Sequence, residues 1–168
     1  MESKVKLLGH PVHPMLVVFP TGLLIASVLF DVLYKVTREP GLSIAAYYMI
    51  AAGLMSGVLA AIFGAIDWIR LPYNSRASNL GLWHAIGNLL ILGLFLLNWL
   101  RRKDNLNLVP EDATLILSAV GLGLLFLTAW IGGELVYRLG VGVDRGANVD
   151  APSSLTEPSP SPSHVEPS

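Results

Sequence analysis

The chain has 168 residues, of which 53% are hydrophobic and 14% are charged, and its formal net charge is −1. Soluble domains average about 25% charged residues, so this composition is typical of a membrane protein. The sequence contains no cysteine, which excludes disulfides, iron–sulfur clusters and thiolate metal sites within the chain. The slightly negative net charge predicts no nucleic-acid partner.

Asp, Glu, Lys and Arg avoid four long windows, at 7–30, 40–66, 77–100 and 113–133. About 20 apolar residues cross the hydrocarbon core of a bilayer, so each window is long enough to span once and too short to span twice. The windows lack the alternation of barrel strands. The predicted fold class is therefore all-α, an integral membrane four-helix bundle with up-down-up-down topology. We place the helices near 14–34, 43–66, 80–100 and 113–136.

The first helix begins within the segment GHPVHPMLVVFP, residues 9–20, which contains two histidines and three prolines. Pro11 and Pro14 bias the residues before them away from the helical region, which predicts a bent or extended entry. Pro14 suits the first position of a helix. The window follows two lysines, as a signal peptide would, but it contains Pro20 and lacks an A-x-A cleavage pattern, so we expect it to be retained.

Small residues are spaced for close helix packing in the second and fourth helices. Gly53 and Gly57 form a small-xxx-small pair that Ala61 continues, while Gly121 and Gly123 make the fourth helix thin. Glycines at such positions let helix backbones approach each other. We therefore interpret them as packing residues.

The two halves of the chain resemble each other faintly. The first half begins with histidine and its second helix ends in DWIR, whereas the second half begins near LWHAIGN and ends in ELVYR. A duplicated helical hairpin explains this pattern, and so does coincidence. Both explanations are open at the level of the sequence.

The chain after the fourth helix changes in composition. Gly140 and Gly142 predict a stop or turn soon after the helix. Residues 151–168 are rich in proline and serine and have almost nothing apolar to offset the entropy of folding, which predicts a disordered tail. The transmembrane domain is therefore assigned to residues 1–150.

Antiparallel threading brings the starts of helices one and three and the ends of helices two and four to one membrane face. Charges at the opposite face, namely Asp31, Lys35, Arg38, Glu39 and the run RRKDN from Arg101, look like ordinary loop charges. The polar residues expected at the first face are His10, His13, Asp67, Arg70, His84, Asn88, Glu134, Tyr137 and Arg138.

Helical spacing groups several of these side chains. His84 and Asn88 are four residues apart and share a helix face, as do Glu134, Tyr137 and Arg138. Neutral imidazole is a common ligand of transition metals and of haem iron. The carboxylates could act as ligands, as partners that orient ligands, or as counter-charges to the arginines. The sequence predicts a shared polar pocket at this face.

Four motifs carry a family resemblance, namely GHPVHPMLVVFPTGLL, GAIDW, WHAIGN and GGELVYRLGVGV. They resemble a family of small bacterial four-helix membrane proteins of unknown function, and the similarity covers roughly residues 7–143. Members of that family look as if they occur fused or adjacent to redox modules, including cytochrome-like and Rieske-like domains. The resemblance thus implies a role in electron transfer and a location in the bacterial inner membrane.

Three hypotheses remain. The first is a b-type haem protein, an electron-transfer or redox-accessory subunit, with His84 as one axial ligand and His13 or His10 as the other. The second is a non-haem transition-metal site, or an ion or proton pathway. The four charge-free windows contain few polar residues that could line such a pathway. Its candidate ligands are His10, His13, His84, Asp67 and Glu134.

The third hypothesis is a non-catalytic structural or accessory subunit whose polar cluster ties helix ends together. Asp67 with Arg138 and Glu134 with Arg70 are the expected ion pairs. We expect the chain not to be an enzyme on its own, because it has neither a Gly-x-Ser-x-Gly turn nor a P-loop.

The expected partners are the lipid bilayer, a redox protein and, as an open alternative, further copies of the chain. Four spans place both termini on the same side of the membrane. Lys and Arg are divided almost evenly between the two faces, so they do not decide the orientation. We favour the histidine face lying outside the cytoplasm, where electron carriers could reach it.

Overall fold

The computed structural model describes residues 2–156. Its helices form four long antiparallel spans, each long and apolar enough to cross a membrane. The predicted all-α four-helix bundle is confirmed, and each predicted helix lies inside an observed span that extends further at both ends. The elements are β1 (Lys6–Leu7), β2 (His10–Pro11), α1 (Val12–Leu16), α2 (Val18–Thr37), α3 (Pro40–Trp68), α4 (Arg76–Arg102), a 3-10 turn (Leu106–Leu108), α5 (Asp112–Gly133) and a π-helical turn (Glu134–Arg138).

The entry to the first span is a minimal β-hairpin. β1 and β2 pair antiparallel, and the two residues between them, Leu8 and Gly9, have φ angles of 51° and 86°. Positive φ at both central positions is typical of a type I′ turn, whose twist matches that of the strands. His10 is therefore in an extended strand, as the proline after it predicts.

Prolines also shape the first span itself. His13 is helical although Pro14 follows it, which is contrary to the expected bias. Pro14 is the third residue of α1, where a missing N–H leaves no helical hydrogen bond unmade. Pro20 lacks the N–H that would bond to the carbonyl of Leu16, and the helix is broken at Val17 between α1 and α2.

The bundle consists of two tightly packed hairpins. α2 packs mainly along α3, and α4 packs mainly along α5, while α3–α4 and α2–α5 contacts join the two pairs. One compact apolar cluster lies at the centre, and many large apolar side chains on the outside are exposed, as expected of helices that face lipid. The central cluster consists of Leu24, Ile50, Ile91, Phe95 and Leu125.

Glycines make this packing close. A Cβ at Gly53 would lie 2.8 Å from Leu24 Cδ2, and a Cβ at Gly121 would lie 2.7 Å from Phe95 Cε2. Gly57 is similarly close to a leucine of α4. Within residues 2–156, Gly123 has nothing within 4 Å of the position of a Cβ, so its interpretation as a packing residue is wrong.

Matched contacts recur in the two hairpins. Equivalent positions of the two hairpins are 71 residues apart in the sequence. Leu24 then corresponds to Phe95, and Asp31 corresponds to Arg102. Both Leu24 and Phe95 pack on a glycine of the partner helix in their own hairpin. At the helix starts, the hydroxyls of Ser43 and Thr114, also equivalent in this register, each donate to the carbonyl three residues earlier. These pairs favour the duplicated hairpin over coincidence.

Two of the charged residues that were predicted to lie in loops are instead buried in the bundle. Asp31 and Arg102 are fully buried and form a salt bridge, with 2.8 Å between Arg102 Nη1 and Asp31 Oδ2. The interpretation as ordinary loop charges is wrong for these two residues, because α4 runs past its predicted end to include Arg102, which pairs with Asp31 inside the bundle. Lys35 does behave as a surface charge, since it pairs with an Asp112 side chain that is 92% exposed.

The two ends of the described chain meet at one end of the bundle. After the π-helical turn, Gly140 and Gly142 have φ angles of 64° and 80°, so the predicted stop is observed. The chain then returns to the N-terminal segment, where Lys6 Nζ lies 3.6 Å from Asp144 Oδ2. A hydrogen bond from Lys6 lowers the pKa of the Glu2 carboxyl and raises the pKa of the Lys6 ammonium.

The predicted tail falls partly outside the described residues. Residues 151–156 are described, and the Ser154 hydroxyl donates to the carbonyl of Leu8. Residues 157–168, including His164, lie outside the part of the chain that the structure describes.

Candidate functional site: a histidine pair between two hairpins

Two of the predicted site residues meet at the centre of one end of the bundle, which we call the histidine end. His13 comes from the start of the first span and His84 from the third span, so each hairpin provides one ring. Their ring centroids are 6.4 Å apart and their planes are almost perpendicular, at 85°. Both side chains are half-buried.

Each ring is fixed by a backbone carbonyl of the partner helix in its own hairpin. His13 Nδ1 lies 2.8 Å from Ala60 O in α3, and His84 Nδ1 lies 2.9 Å from Thr128 O in α5. A carbonyl oxygen can only accept, so Nδ1 must carry the proton in both rings. In the neutral imidazole Nε2 is then the unprotonated nitrogen, and within residues 2–156 it has no hydrogen-bond partner in either ring.

A glycine lies beneath each ring, four residues after the accepting carbonyl. A Cβ at Gly64 would lie 2.8 Å from His13 Cε1, and a Cβ at Gly132 would lie 3.2 Å from His84 Cε1. Residues four apart share a helix face, so a side chain at these positions would stand where the imidazole reaches its carbonyl. The two halves of the site thus have the same arrangement, in which a glycine follows the accepting carbonyl four residues later.

Asn88 shares the helix face of His84, as predicted, but its amide remains local. Its Nδ2 donates to the carbonyl of His84 at 2.8 Å. This contact ties the side chain to its own helix one turn back.

The structure does not bring His10 and Asp67 to the ring pair. His10 is exposed, and its Nε2 is 3.5 Å from the Ser154 hydroxyl. Asp67 accepts from the hydroxyl of Ser3, at 2.7 and 2.9 Å to its two oxygens. Asp67 therefore anchors the N-terminal segment, in which Ser3 is buried. Sequence reasoning missed Ser3, since a single serine before the first span carries no pattern.

Glu134 is neutralised by arginines other than the expected one. Its carboxylate lies 3.0 Å from Arg76 Nη2 and 4.0 Å from Arg138 Nε. Arg70 is exposed and Tyr137 is 89% exposed. The expected pairs Asp67 with Arg138 and Glu134 with Arg70 are wrong. Arg76 begins α4 at this same end of the bundle, so its position could have identified it as a partner.

The donor set fits haem better than a bare metal ion. Among the residues that the structure describes, no three His, Asp or Glu side chains form a group that could hold a metal. A zinc site needs four ligands, whereas haem supplies four nitrogens of its own and requires only axial ligands from the protein.

An apolar groove of about 740 Å³ opens beside the histidine pair. It lies between the first span and the end of the last one, and Pro14, Met15 and Gly132 line it, with His10 and Tyr137 also in its wall. Neither His13 nor His84 belongs to its wall. The groove is thus a neighbour of the ring pair and does not contain it.

The four apolar spans define the chain as a helical integral membrane protein. Over residues 9–145 it matches the family described as "Predicted membrane protein (DUF2231)". Because the match covers most of the chain, the protein belongs to this membrane-protein family of unknown function, and the resemblance seen in the sequence is confirmed. Comparison with curated proteins found no match, and comparison with solved structures found none either.

Proposed function

We propose that the protein is a redox subunit of the membrane that binds one b-type haem, which His13 and His84 would hold. The observation that carries this proposal is the state of the two rings. Each donates Nδ1–H to a backbone carbonyl and keeps Nε2 without a partner among residues 2–156. Metal-bound histidines in proteins are almost always oriented in this way by their second nitrogen.

The chain's own groups have distinct tasks in this proposal. The carbonyls of Ala60 and Thr128 fix the tautomer and the ring orientation, and they make each Nε2 a stronger donor to a metal. Gly64 and Gly132 leave the space that the rings occupy. Bound haem would supply one-electron transfer.

We further propose that electron exchange takes place at the histidine end, with a redox protein as the partner. The rings lie near the ends of their spans, so a cofactor held by them is close to the membrane surface. We place the protein in the bacterial inner membrane as a multi-pass protein, with this end and both termini outside the cytoplasm. The contacts between the N-terminal and C-terminal segments support a common side for the termini.

Visible absorption of the purified, detergent-solubilised protein tests the haem proposal. The wild type is expected to show a Soret band with about one haem per chain and a reduced-minus-oxidised difference spectrum. His13→Ala and His84→Ala should each lose most of the band. His10→Ala is the matched control and should keep it, because His10 lies on the exposed hairpin. A colourless wild-type protein from haem-replete cells would contradict the proposal.

The second candidate is a structural or accessory subunit, in which the histidines serve as ties between helices. Two observations favour it: each ring bridges the two helices of its own hairpin, and the groove beside the rings contains neither of them. Substitution of His84 by asparagine distinguishes the structural role from the haem role, since asparagine Nδ2 can replace the donating Nδ1 of the ring. His84→Asn should retain stability under the structural role, and it should lose the Soret band under the haem role.

A further inference from the structure

A second buried polar layer lies at the other end of the bundle, which we call the arginine end. Along α2 and α4, Asp31 and Arg102 each come 18 positions after the histidine of the same hairpin, roughly 27 Å along a helix. The apolar central cluster separates this layer from the histidines. The fully buried polar residues of the layer are Ser27, Asp31, Ser43, Asn98, Arg102, Thr114 and Ser118.

Arg102 is satisfied by three acceptors from different parts of the chain. Its Nε donates to Leu108 O at 2.9 Å, its Nη1 to Asp31 Oδ2 at 2.8 Å and its Nη2 to Ser43 O at 3.0 Å. The charges of Arg102 and Asp31 therefore offset each other. Asp31 Oδ1, by contrast, is buried without a hydrogen-bond partner in the described part of the chain.

Asn98, one turn before Arg102 on α4, also has one paired and one unpaired polar atom. Its Nδ2 donates to Thr114 O at 2.9 Å and to Ser118 Oγ at 2.6 Å. Because the carbonyl of Thr114 only accepts, this assignment of the amide is fixed. Asn98 Oδ1 is then the second buried acceptor that lacks a partner within residues 2–156.

Two hydroxyls of the layer direct their protons elsewhere. Ser27 donates its proton to Leu24 O, and Thr114 donates to Glu111 O, so both protons are turned toward the carbonyls of their own helices. Buried polar groups without partners are rare in native proteins, and an ordered water or ion is a frequent explanation of those that occur. The layer therefore calls for a hydrogen-bond donor from outside the chain.

We propose that the arginine end contains an ordered-water site between α2 and α4, in which bound water donates to Asp31 Oδ1 and Asn98 Oδ1. Water fits better than a cation, because the Asp31–Arg102 pair is already neutral and a cation would add an uncompensated charge to a buried layer.

A crystal structure of the full-length protein in lipid, grown once in NaCl and once in RbCl, tests this proposal. We expect water density about 2.7–3.2 Å from each of the two oxygens, with the same height in the two salts and no anomalous signal from rubidium. Rubidium at this density would overturn the proposal in favour of a cation site. A dry layer, with the two oxygens paired to protein donors or left without partners, would also overturn it.

Thermal unfolding of the detergent-solubilised protein provides a second, independent measurement. In NaCl, KCl and choline chloride at equal ionic strength, a water site predicts that any effect of the salt on the unfolding temperature is the same in the wild type and in Asn98→Leu. Stabilisation by Na⁺ or K⁺ over choline that is lost in Asn98→Leu would contradict the proposal, because a cation bound in this layer stabilises only the protein that retains the site.

Discussion

At the scale of single residues, the histidine pair depends on two glycines as much as on the rings. His13 reaches the carbonyl of Ala60 because Gly64 has no side chain in the way, and the second hairpin repeats the arrangement. The sequence predicted both histidines as site residues. It could not reveal that Gly64 and Gly132 belong to the site, because a glycine in an apolar helix is equally compatible with ordinary helix packing.

We predict that Gly64→Ala displaces His13. The added Cβ would lie 2.8 Å from the ring, and overpacking of this kind typically costs about 1–3 kcal/mol in the free energy of unfolding. Under the haem proposal the variant should also lose part of the Soret band. Denaturant unfolding together with the visible spectrum measures both effects.

Gly93→Ala is the matched control for this prediction. Gly93 is also within a span, but nothing lies within 4 Å of the position of its Cβ. Alanine should therefore be neutral or stabilise the helix by roughly 0.5–1 kcal/mol. Equal losses of stability in Gly64→Ala and Gly93→Ala would show that the close contact at His13 does not exist.

At the scale of elements, the positions of the helices were predictable and the roles of their ends were not. Four charge-free windows identify the spans because charges in hydrocarbon are costly. The same rule assigned Asp31 and Arg102 to the loops, since it assumes that a charge marks the end of a span. Their opposite signs at equivalent positions of the two hairpins were the available signal that they pair inside the bundle.

The Asp31–Arg102 bridge predicts strong coupling between α2 and α4. Arg102→Met leaves a buried carboxylate without its partner and should cost about 3–5 kcal/mol in the free energy of unfolding. The double variant Asp31→Leu/Arg102→Met removes both charges and should recover most of that loss. A double-mutant cycle with denaturant unfolding measures the coupling. Additive effects of the two substitutions would contradict the buried bridge.

At the scale of the whole molecule, two equivalent hairpins enclose three layers along the bundle axis. The histidine pair lies at one end, the apolar cluster with Phe95 in the middle, and the Asp31–Arg102 layer at the other end. A continuous pathway for ions would need polar groups through the middle layer. This layering favours a static site at the histidine end over transport.

The two-hairpin architecture predicts that a break in the loop at 71–75 is tolerated. Each hairpin has its own extensive helix contacts, and the buried bridge and the central cluster join the halves. Separately expressed fragments 1–73 and 74–168 should therefore copurify from membranes when only one carries a tag. Introducing Arg102→Met into the second fragment should weaken their association. Fragments that never copurify would contradict independent hairpins.

The central claim is that the first and third spans bring His13 and His84 together, and cysteine cross-linking tests it most directly because the native sequence contains no cysteine. We predict that His13→Cys/His84→Cys is cross-linked within one chain by a short bifunctional thiol reagent, so that fragments from protease cleavage in the 71–75 loop stay joined. The control His13→Cys/Arg101→Cys should not be cross-linked, since position 101 is exposed at the opposite end of the bundle. Efficient cross-linking of the control, with none between positions 13 and 84, would contradict the account.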